Sequence, residues 1–368
     1  MKLVRVKEIL VEKKLFVRDL KVKDEIESIF FVKYIALMEA RDGRNYLNVV
    51  LSDASGDIES RKWHGAEEVI SKIEKGDYIK VCGKVNLYQN RLQLIVQDIM
   101  KIDSSEVNEK DFVPRSVGEP DKMFNELINH VEVLDDVYIK DLLKAVLFDT
   151  EIQRRIKKWS AAKSIHHAYS GGLLEHILSC TTLASILSKH YKLNNNYVVA
   201  GALLHDVAKI YELSDGPMFE YTEEGKLIGH VVKALELIDR FTSKINNFPH
   251  MMKVHLKHII LSHHGEHNFG SPKVPMTCEA ALVHYIDLID SKMNTIFNIK
   301  KSDNTPGNWS SYIKHMDRTI FKEELPHYTE YLSKENETEA KKRPQKRNSD
   351  PNLTHNLADK LKGFKIDE

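Results

Sequence analysis

Residues 197–210 read YVVAGALLHDVAKI, an apolar run that ends on the adjacent His205 and Asp206. The run reads as core, and a carboxylate set beside a core costs on the order of several kcal/mol unless it is paired or metal-bound. Taken alone, such a pair is more simply read as a solvated helix end. Its company changes the reading. His176 precedes it in GGLLEHILSCTTLASILSKHY (171–191), and His230 follows in GKLIGHVVKALELIDRF (225–241). His263 and His264 close MKVHLKHIILSHH (252–264), and Asp287 lies in CEAALVHYIDLIDSKM (278–293). These stretches read as helices, so the order His, His-Asp, His, His-His, Asp is spread over successive predicted helices. Neutral imidazole and carboxylate suit divalent transition metals. Neighbours on a helix point about 100° apart, so His205 and Asp206 do not stack. They can still converge on a metal cluster at the helix's flank, with Asp206 bridging two ions.

Outward from this stretch, Phe124, Leu127, Ile128 and Val131 keep helical spacing, and YIKDLLKAVLF (138–148) continues it. Asn194 to Asn196 supply turn and cap chemistry before Tyr197. An all-helical domain is expected over 121–332. Upstream, FFVKYIALMEA (30–40), NYLNVVLSDAS (45–55), DYIKVCGKV (77–85) and RLQLIVQDI (91–99) are strand-like. Asp42-Gly43, Gly56-Asp57 and Gly76-Asp77 punctuate them, as in a small β-barrel or sandwich, expected over 1–103. Residues 104–120 lack periodicity and hold Pro114 and Pro120, which places a linker there. From Ser333 the composition is that of a solvated, disordered tail. Its KKRPQKR run (341–347) either touches RNA or only solubilises. The fold class is therefore a β domain followed by an all-α domain. The 368 residues accommodate both at about 100–200 each.

Composition narrows the function. Lys+Arg and Asp+Glu are both 54, so attraction to nucleic acid must come from a local patch. Cys82, Cys180 and Cys278 form no CxxC pair, which argues against a zinc ribbon or a disulfide framework. MKLVRVKEILVEKK has no apolar signal region, and no apolar stretch reaches the roughly 20 residues that span a bilayer. A cytoplasmic location without a membrane partner is expected.

With these residues in view, the chain resembles the HD-domain phosphohydrolase superfamily, whose H…HD…D signature matches His176, His205, Asp206 and Asp287. His230 and His263-His264 resemble the added ligands of its binuclear branch. HD-GYP phosphodiesterases share this order, but their downstream GYP loop is not evident. HHAYSGGLLEHIL (166–178) looks instead like the YhaM-type 3′→5′ exoribonucleases. These join an N-terminal OB domain to an HD domain, and the likeness covers about residues 1–330. VVLSDASGDIESRKW (49–63) and KGDYIKVCGKVNLYQNRLQLIVQDI (75–99) resemble an OB-fold, with a turn from Asp53 to Gly56, a later Trp63 and an inner Gly83.

The resemblance implies two divalent ions. His176, His205, Asp206 and Asp287 would hold one; Asp206, His230, His263 and His264 would hold the other. Manganese leads, with cobalt, iron or zinc compatible. Asp287 and Asp290 share a helix face, and the likeness favours Asp287. His284, on the same face, is either a support or core. Asp206 and Lys209 are the expected catalytic pair. Lys209, three residues on, either offers charge to a phosphate or is a surface lysine. His167 and Tyr169, before Gly171-Gly172, either contact the terminal nucleotide, with Tyr169 stacking, or form a capping turn. Glu175 either supports His176 or is exposed. His255 and His258 are expected to be structural or solvent-facing, and His166 and His267 receive no role.

In the barrel, Phe31, Lys33, Tyr34, Arg61, Trp63, Tyr88 and Arg91 are candidates for holding a single strand, although Phe31 and Tyr34 serve equally as core. The reading that joins both halves is a 3′→5′ exoribonuclease releasing 5′ mononucleotides from single-stranded RNA, its polarity implied by the resemblance alone. Single-stranded DNA is a further substrate, and a homo-oligomer is open. The alternatives are a phosphodiesterase for cyclic or free nucleotides, and a single-strand-binding protein with an inert metal site.

Overall fold

The computed structural model describes residues 13–325 except 90, 117, 164, 217 and 304. The chain divides into two units, Met1–Phe321 and Lys322–Glu368. The tail expected over 333–368 lies outside the described residues.

Five strands close a barrel in the order β1-β2-β3-β5-β4. They are β1 (Glu25–Glu39), β2 (Asn45–Asp53), β3 (Gly56–Lys62), β4 (Tyr78–Tyr88) and β5 (Arg91–Ile102). β3 and β5 pair in parallel. Alternate residues point inward, as the two-residue period of a strand requires, and Phe30, Leu47, Val49, Leu51, Ile79, Val81 and Leu94 make the core. A bulge at Lys33 interrupts the β1–β2 register and sharpens the local twist. Gly83 sits where β4 meets β5 closely; a Cβ there would stand 2.5 Å from the Ile95 carbonyl oxygen. The sequence reading passes over β3. Ile58 is the apolar side chain it turns inward, and Ser60 and Lys62 are buried beside it, so its alternation is masked.

After α1 (Ala66–Ile70) within the barrel, the helical part comprises α2 (Pro120–Glu132), α3 (Val137–Leu147), α4 (Thr150–Ile156), α5 (Gly172–His190) and α6 (Asn195–Leu204). It continues with α7 (Lys209–Glu212), α8 (Glu223–Leu227), α9 (Gly229–Thr242), α10 (His250–Ser262) and α11 (Cys278–Ser302). α5, α6 and α11 pack together over Leu174, Ile177, Val199, Leu203, Val283 and Ile286, all buried. Asp136, Asp149, Asn194 and Thr277 cap their helices with side-chain oxygens, satisfying N–H groups that have no intrahelical partner.

Two expectations are corrected. YVVAGALLHDVAKI is not one helix: α6 ends at Leu204, residues 205–208 form a turn, and α7 restarts at Lys209. Among the described residues the last helix ends at Ser302, and two isolated bridges, Trp309–Phe321 and Ile313–Arg318, follow where helix was expected; 326–332 lie outside the described residues. The segment 104–119 is packed: it carries two short 3-10 turns and buries Val107, Phe112 and Val113. Phe112 meets Tyr78 of the barrel edge to face at 4.9 Å. Apolar residues spaced without period give no sequence signal for such packing.

Gly201 of α6 lets α10 and α11 close in; a Cβ there would stand 2.6 Å from Ile259 Cγ2 and 3.0 Å from Val283 Cγ2. Gly201→Val is expected to lower stability by about 1–3 kcal/mol through overpacking. Denaturant unfolding measures this, and an unchanged midpoint would contradict the packing.

Candidate metal centre

Four histidines are fixed in the same manner. His205 Nδ1 donates to the Ala202 carbonyl at 2.8 Å, and His263 Nδ1 to the Ile260 carbonyl at 2.7 Å. His176 Nδ1 donates to Asp290 Oδ2 at 2.7 Å, and His230 Nδ1 to Glu212 Oε2 at 2.9 Å. A proton committed to Nδ1 leaves the Nε2 lone pair free. His205 and His263 each stand just beyond a helix end, α6 and α10.

The Nε2 atoms converge on Asp206, which is 2% exposed. His176 Nε2 stands 3.3 Å and His205 Nε2 3.5 Å from Asp206 Oδ2. On the other oxygen, Oδ1, His230 Nε2 stands at 3.4 Å and His263 Nε2 at 3.9 Å. Asp287 Oδ1 joins the first group, 3.4 Å from His176 Nε2. His264 joins the second, its ring centroid 5.3 Å from that of His230. The arrangement is two lobes sharing one carboxylate.

The donors fit divalent cations. Ligands about 2.1 Å from one ion, at octahedral or tetrahedral angles, lie about 3.0–3.4 Å apart, close to the spacings above. Asp206 Oδ1, His230 Nε2, His263 Nε2 and His264 Nδ1 are buried without a hydrogen-bond partner; His230 Nε2 and Asp206 Oδ1 approach but are not aligned to bond. Buried polar groups are rarely left so. His176 Nε2 and His205 Nε2 lie 3.1 Å apart, and with both Nδ1 atoms protonated two lone pairs face each other, which calls for positive charge between them.

Charge points the same way. Burial opposes ionisation of Asp206, yet the Lys209 ammonium beside it holds it well below the usual carboxylate range. Asp287 is likewise lowered against burial, by His176 and His205. Burial lowers His205 and His263, keeping both neutral as ligands must be. Burial also disfavours a charged His176, but the carboxylates of Asp206, Asp287 and Asp290 around it raise it well above an ordinary imidazole. Cys180 lies 3.9 Å from His176 Nε2, but burial pushes its thiol up to about 12, so it is a poor ligand.

The other expected residues fall into place around this cluster. Lys209 Nζ stands 2.6 Å from Asp206 Oδ2 and is mostly buried, so its charge is engaged with Asp206 and not with solvent. His167 and Tyr169 lie behind His176: His167 is buried, with its ring nitrogens hydrogen-bonded to Asp290 and Tyr169. Of the two readings of His167, a nucleotide contact or a turn before α5, that geometry fits the turn. Tyr169 donates to Glu175 Oε1 at 3.0 Å. His284 Nδ1 donates to the His263 carbonyl at 2.8 Å, a support. His258 Nε2 accepts from Met276 N, and His255 meets Tyr197 edge to face at 6.0 Å. The sequence reading missed Glu212 and gave His166 no role. The His166 ring lies 5.7 Å from that of His176, and burial, aided by Lys209 and His176, pushes it down to about 3. Its only sequence signal was its position beside His167.

On the barrel, Tyr34, Met38 and Trp63 are exposed and Phe31 is core. The register sets Tyr34 beside Val50, Met38 beside Tyr46, and Asn48 beside Arg61. Tyr46, which the sequence reading missed, stacks on Trp63 at 4.7 Å, and Arg61 lies over Tyr46 at 5.8 Å. Lys33 pairs with Asp57 at 2.5 Å. Tyr88 and Arg91 face each other at the tip of the β4–β5 hairpin.

Comparison with known families places both halves. A model of the OB-fold nucleic acid binding domain matches residues 21–102, and one of the HD domain matches residues 173–292. The chain joins an OB-fold domain to an HD domain. The second of these marks a metal-dependent phosphohydrolase. Among solved structures, the second OB-fold domain of replication protein A from Methanococcus maripaludis is 20% identical over 24% of this chain and 95% of that one, with a TM-score of 0.21. The mitochondrial single-stranded DNA binding protein Rim1 from S. cerevisiae is 13% identical over 23% of this chain and 98% of its own, with a TM-score of 0.19. The single-stranded DNA binding protein from Thermus aquaticus is 15% identical over 22% and 40%, with a TM-score of 0.20. Among the described residues, no helix is long and apolar enough to cross a membrane.

Chelator-stripped protein is expected to take up two Mn²⁺ per chain by calorimetry, His230→Ala one, and Asp206→Ala neither with comparable affinity. Equal uptake by His230→Ala and wild type would remove the second lobe.

Proposed function

We propose that the protein is a metal-dependent 3′→5′ exoribonuclease that shortens single-stranded RNA and releases 5′ mononucleotides. The observation that carries the metal-dependent part is the convergence of four Nδ1-anchored imidazoles on the two oxygens of Asp206. RNA as substrate and the polarity rest on the likeness of HHAYSGGLLEHIL and of the domain order to the YhaM-type enzymes.

His176, His205, Asp206 and Asp287 would hold one divalent ion, and Asp206, His230, His263 and His264 the other. Such ions supply Lewis acidity, lowering the pKa of water from about 15.7 toward about 7 and offsetting phosphate charge. The protein's own residues do the rest. Asp206 offers one oxygen to each lobe and so keeps the two ligand sets in register. Lys209 holds a fixed positive charge on Asp206 Oδ2, beside the position where phosphate charge would develop. His166 stays neutral near pH 7 and offers a hydrogen-bonding group beside His176. On the barrel, Tyr34 and the Tyr46–Trp63 stack give bases a surface independent of sequence.

A 5′-labelled 20-nucleotide RNA incubated with Mn²⁺ is expected to give a ladder shortening from its 3′ end, absent with Asp206→Ala. Intact RNA beside metal-loaded wild type would sink the exoribonuclease reading, and turnover of a cyclic dinucleotide in the same assay would put a small-nucleotide phosphodiesterase in its place.

Trp63→Ala is expected to weaken binding of single-stranded RNA about tenfold, the effect of losing on the order of one stacked base, while its metal uptake stays that of wild type. Fluorescence anisotropy reads the affinity. An unchanged value would move the RNA face elsewhere on the barrel.

A further inference from the structure

The side of His176 turned away from the two lobes is tied to a run of side chains outside the ligand set. Asp290, which accepts from His176 Nδ1 at 2.7 Å, also accepts from His167 Nε2 at 2.9 Å and from Ser179 Oγ. His167 Nδ1 is hydrogen-bonded to Tyr169 Oη at 2.9 Å, and Tyr169 donates to Glu175 Oε1 at 3.0 Å. Glu175 Oε2 accepts from Ser116 Oγ. Ser116 belongs to the segment that joins barrel to helices, and the backbone there is stitched to the same loop. Ser116 N donates to the Ser170 carbonyl at 2.9 Å, and Ser170 N to the Pro114 carbonyl at 2.9 Å.

His167, His176 and Asp290 lie close enough to hold an ion of their own. Their contacts point elsewhere. The 2.7 and 2.9 Å approaches are hydrogen-bond lengths, Asp290 already has three donors, and none of these atoms is among the buried groups lacking a partner. The backbone is built around the ring. His167 holds φ at +45°, uncommon for a residue with a Cβ, and its N–H is fixed by Asn294 Oδ1 at 2.8 Å. The loop then requires glycine at 172, where a Cβ would stand 2.1 Å from the His167 carbonyl oxygen. Strain held in place by surrounding contacts is the mark of a side chain whose position matters.

We propose that Asp290, His167, Tyr169 and Glu175 form a positioning chain that fixes the tautomer and aim of His176, and that Ser116 anchors this chain to the segment leading from the barrel. The proposal rests on the metal-centre reading above. It deepens that reading by assigning the first lobe a support distinct from that of the second, whose His230 is held by Glu212. Partners of this kind typically set metal affinity by about 10–100-fold, so the effect belongs to one ion of the two.

The test uses the full chain, stripped of metal and titrated with Co²⁺, followed by calorimetry and by visible absorption, which reports ligand geometry. Asp290→Asn and His167→Gln are expected to weaken one of two Co²⁺ equilibria about 10–100-fold and to shift its band, leaving the other unchanged. Tyr169→Phe removes a single oxygen outside the ligand set and is expected to weaken the same equilibrium a few-fold while the chain stays folded by circular dichroism. It decides the matter if the larger changes do not fold. Lowered denaturation midpoints with both equilibria and both bands at wild-type values would overturn the proposal, leaving these residues a merely structural role. Wild-type protein that takes up no Co²⁺ would overturn the metal-centre reading itself, and the proposal with it.

Discussion

The carboxylate of Asp206, buried at the end of a core helix, is the constraint around which the helical domain is arranged. An ionised carboxylate removed from water is tolerated only with charge or hydrogen-bond compensation. Lys209 supplies part of it, on Oδ2 alone. Oδ1 faces two imidazole nitrogens and receives no proton from either. Those nitrogens cannot compensate it, because their rings have committed their protons on the far side. On its Oδ1 side the sequence thus sets lone pairs against a negative charge, an arrangement that favours a cation between them.

Helix ends make this possible. The last carbonyls of a helix have no intrahelical partner, and at α6 and α10 they accept Nδ1–H from His205 and His263, which leave the helix at that point. One feature therefore satisfies the helix terminus and aims the ligand. The histidines within helices lack this device and take carboxylates instead, Asp290 for His176 and Glu212 for His230. Carboxylate acceptors raise the basicity of the ligating nitrogen more than carbonyls do, so each lobe combines one carboxylate-supported and one carbonyl-supported imidazole.

Much of this was legible in the sequence because ligands are read by residue type and order, and helices by period. His176, His205, Asp206, His230, His263, His264 and Asp287 all lie at the cluster. The supports were harder to read. Glu212 is an ordinary acidic residue whose role depends on the break at Gly229, φ +77°, which turns α9 back toward it. His167 was left open between a nucleotide contact and a turn, since a glycine pair after a histidine is as compatible with a buried, strained turn as with an open loop. In the barrel, β3 was hidden because a strand with polar residues turned inward has no alternation to detect; its pairing with β2 and β5 sets it, and pairing is not a local property of sequence. Tyr46 was hidden for the opposite reason: on an alternating strand, an outward aromatic looks like any other strand residue.

The balance of charge bears on how the two halves would cooperate in the proposed function. Lys33 is paired with Asp57, and Arg61 with Asn48 and Glu59, so among the described residues the positive charge beside Tyr34, Tyr46 and Trp63 is already opposed. Binding there would draw on stacking, which every base can provide, more than on phosphate neutralisation. An enzyme that removes residues one at a time needs such a hold: indifferent to sequence, and renewed at each step as the strand advances. Phosphate recognition would then fall to the metal centre, where positive charge can be concentrated on the one linkage to be cut. A chain of zero net charge can serve as a nuclease on that division, with the barrel gripping bases and the helical domain gripping phosphate.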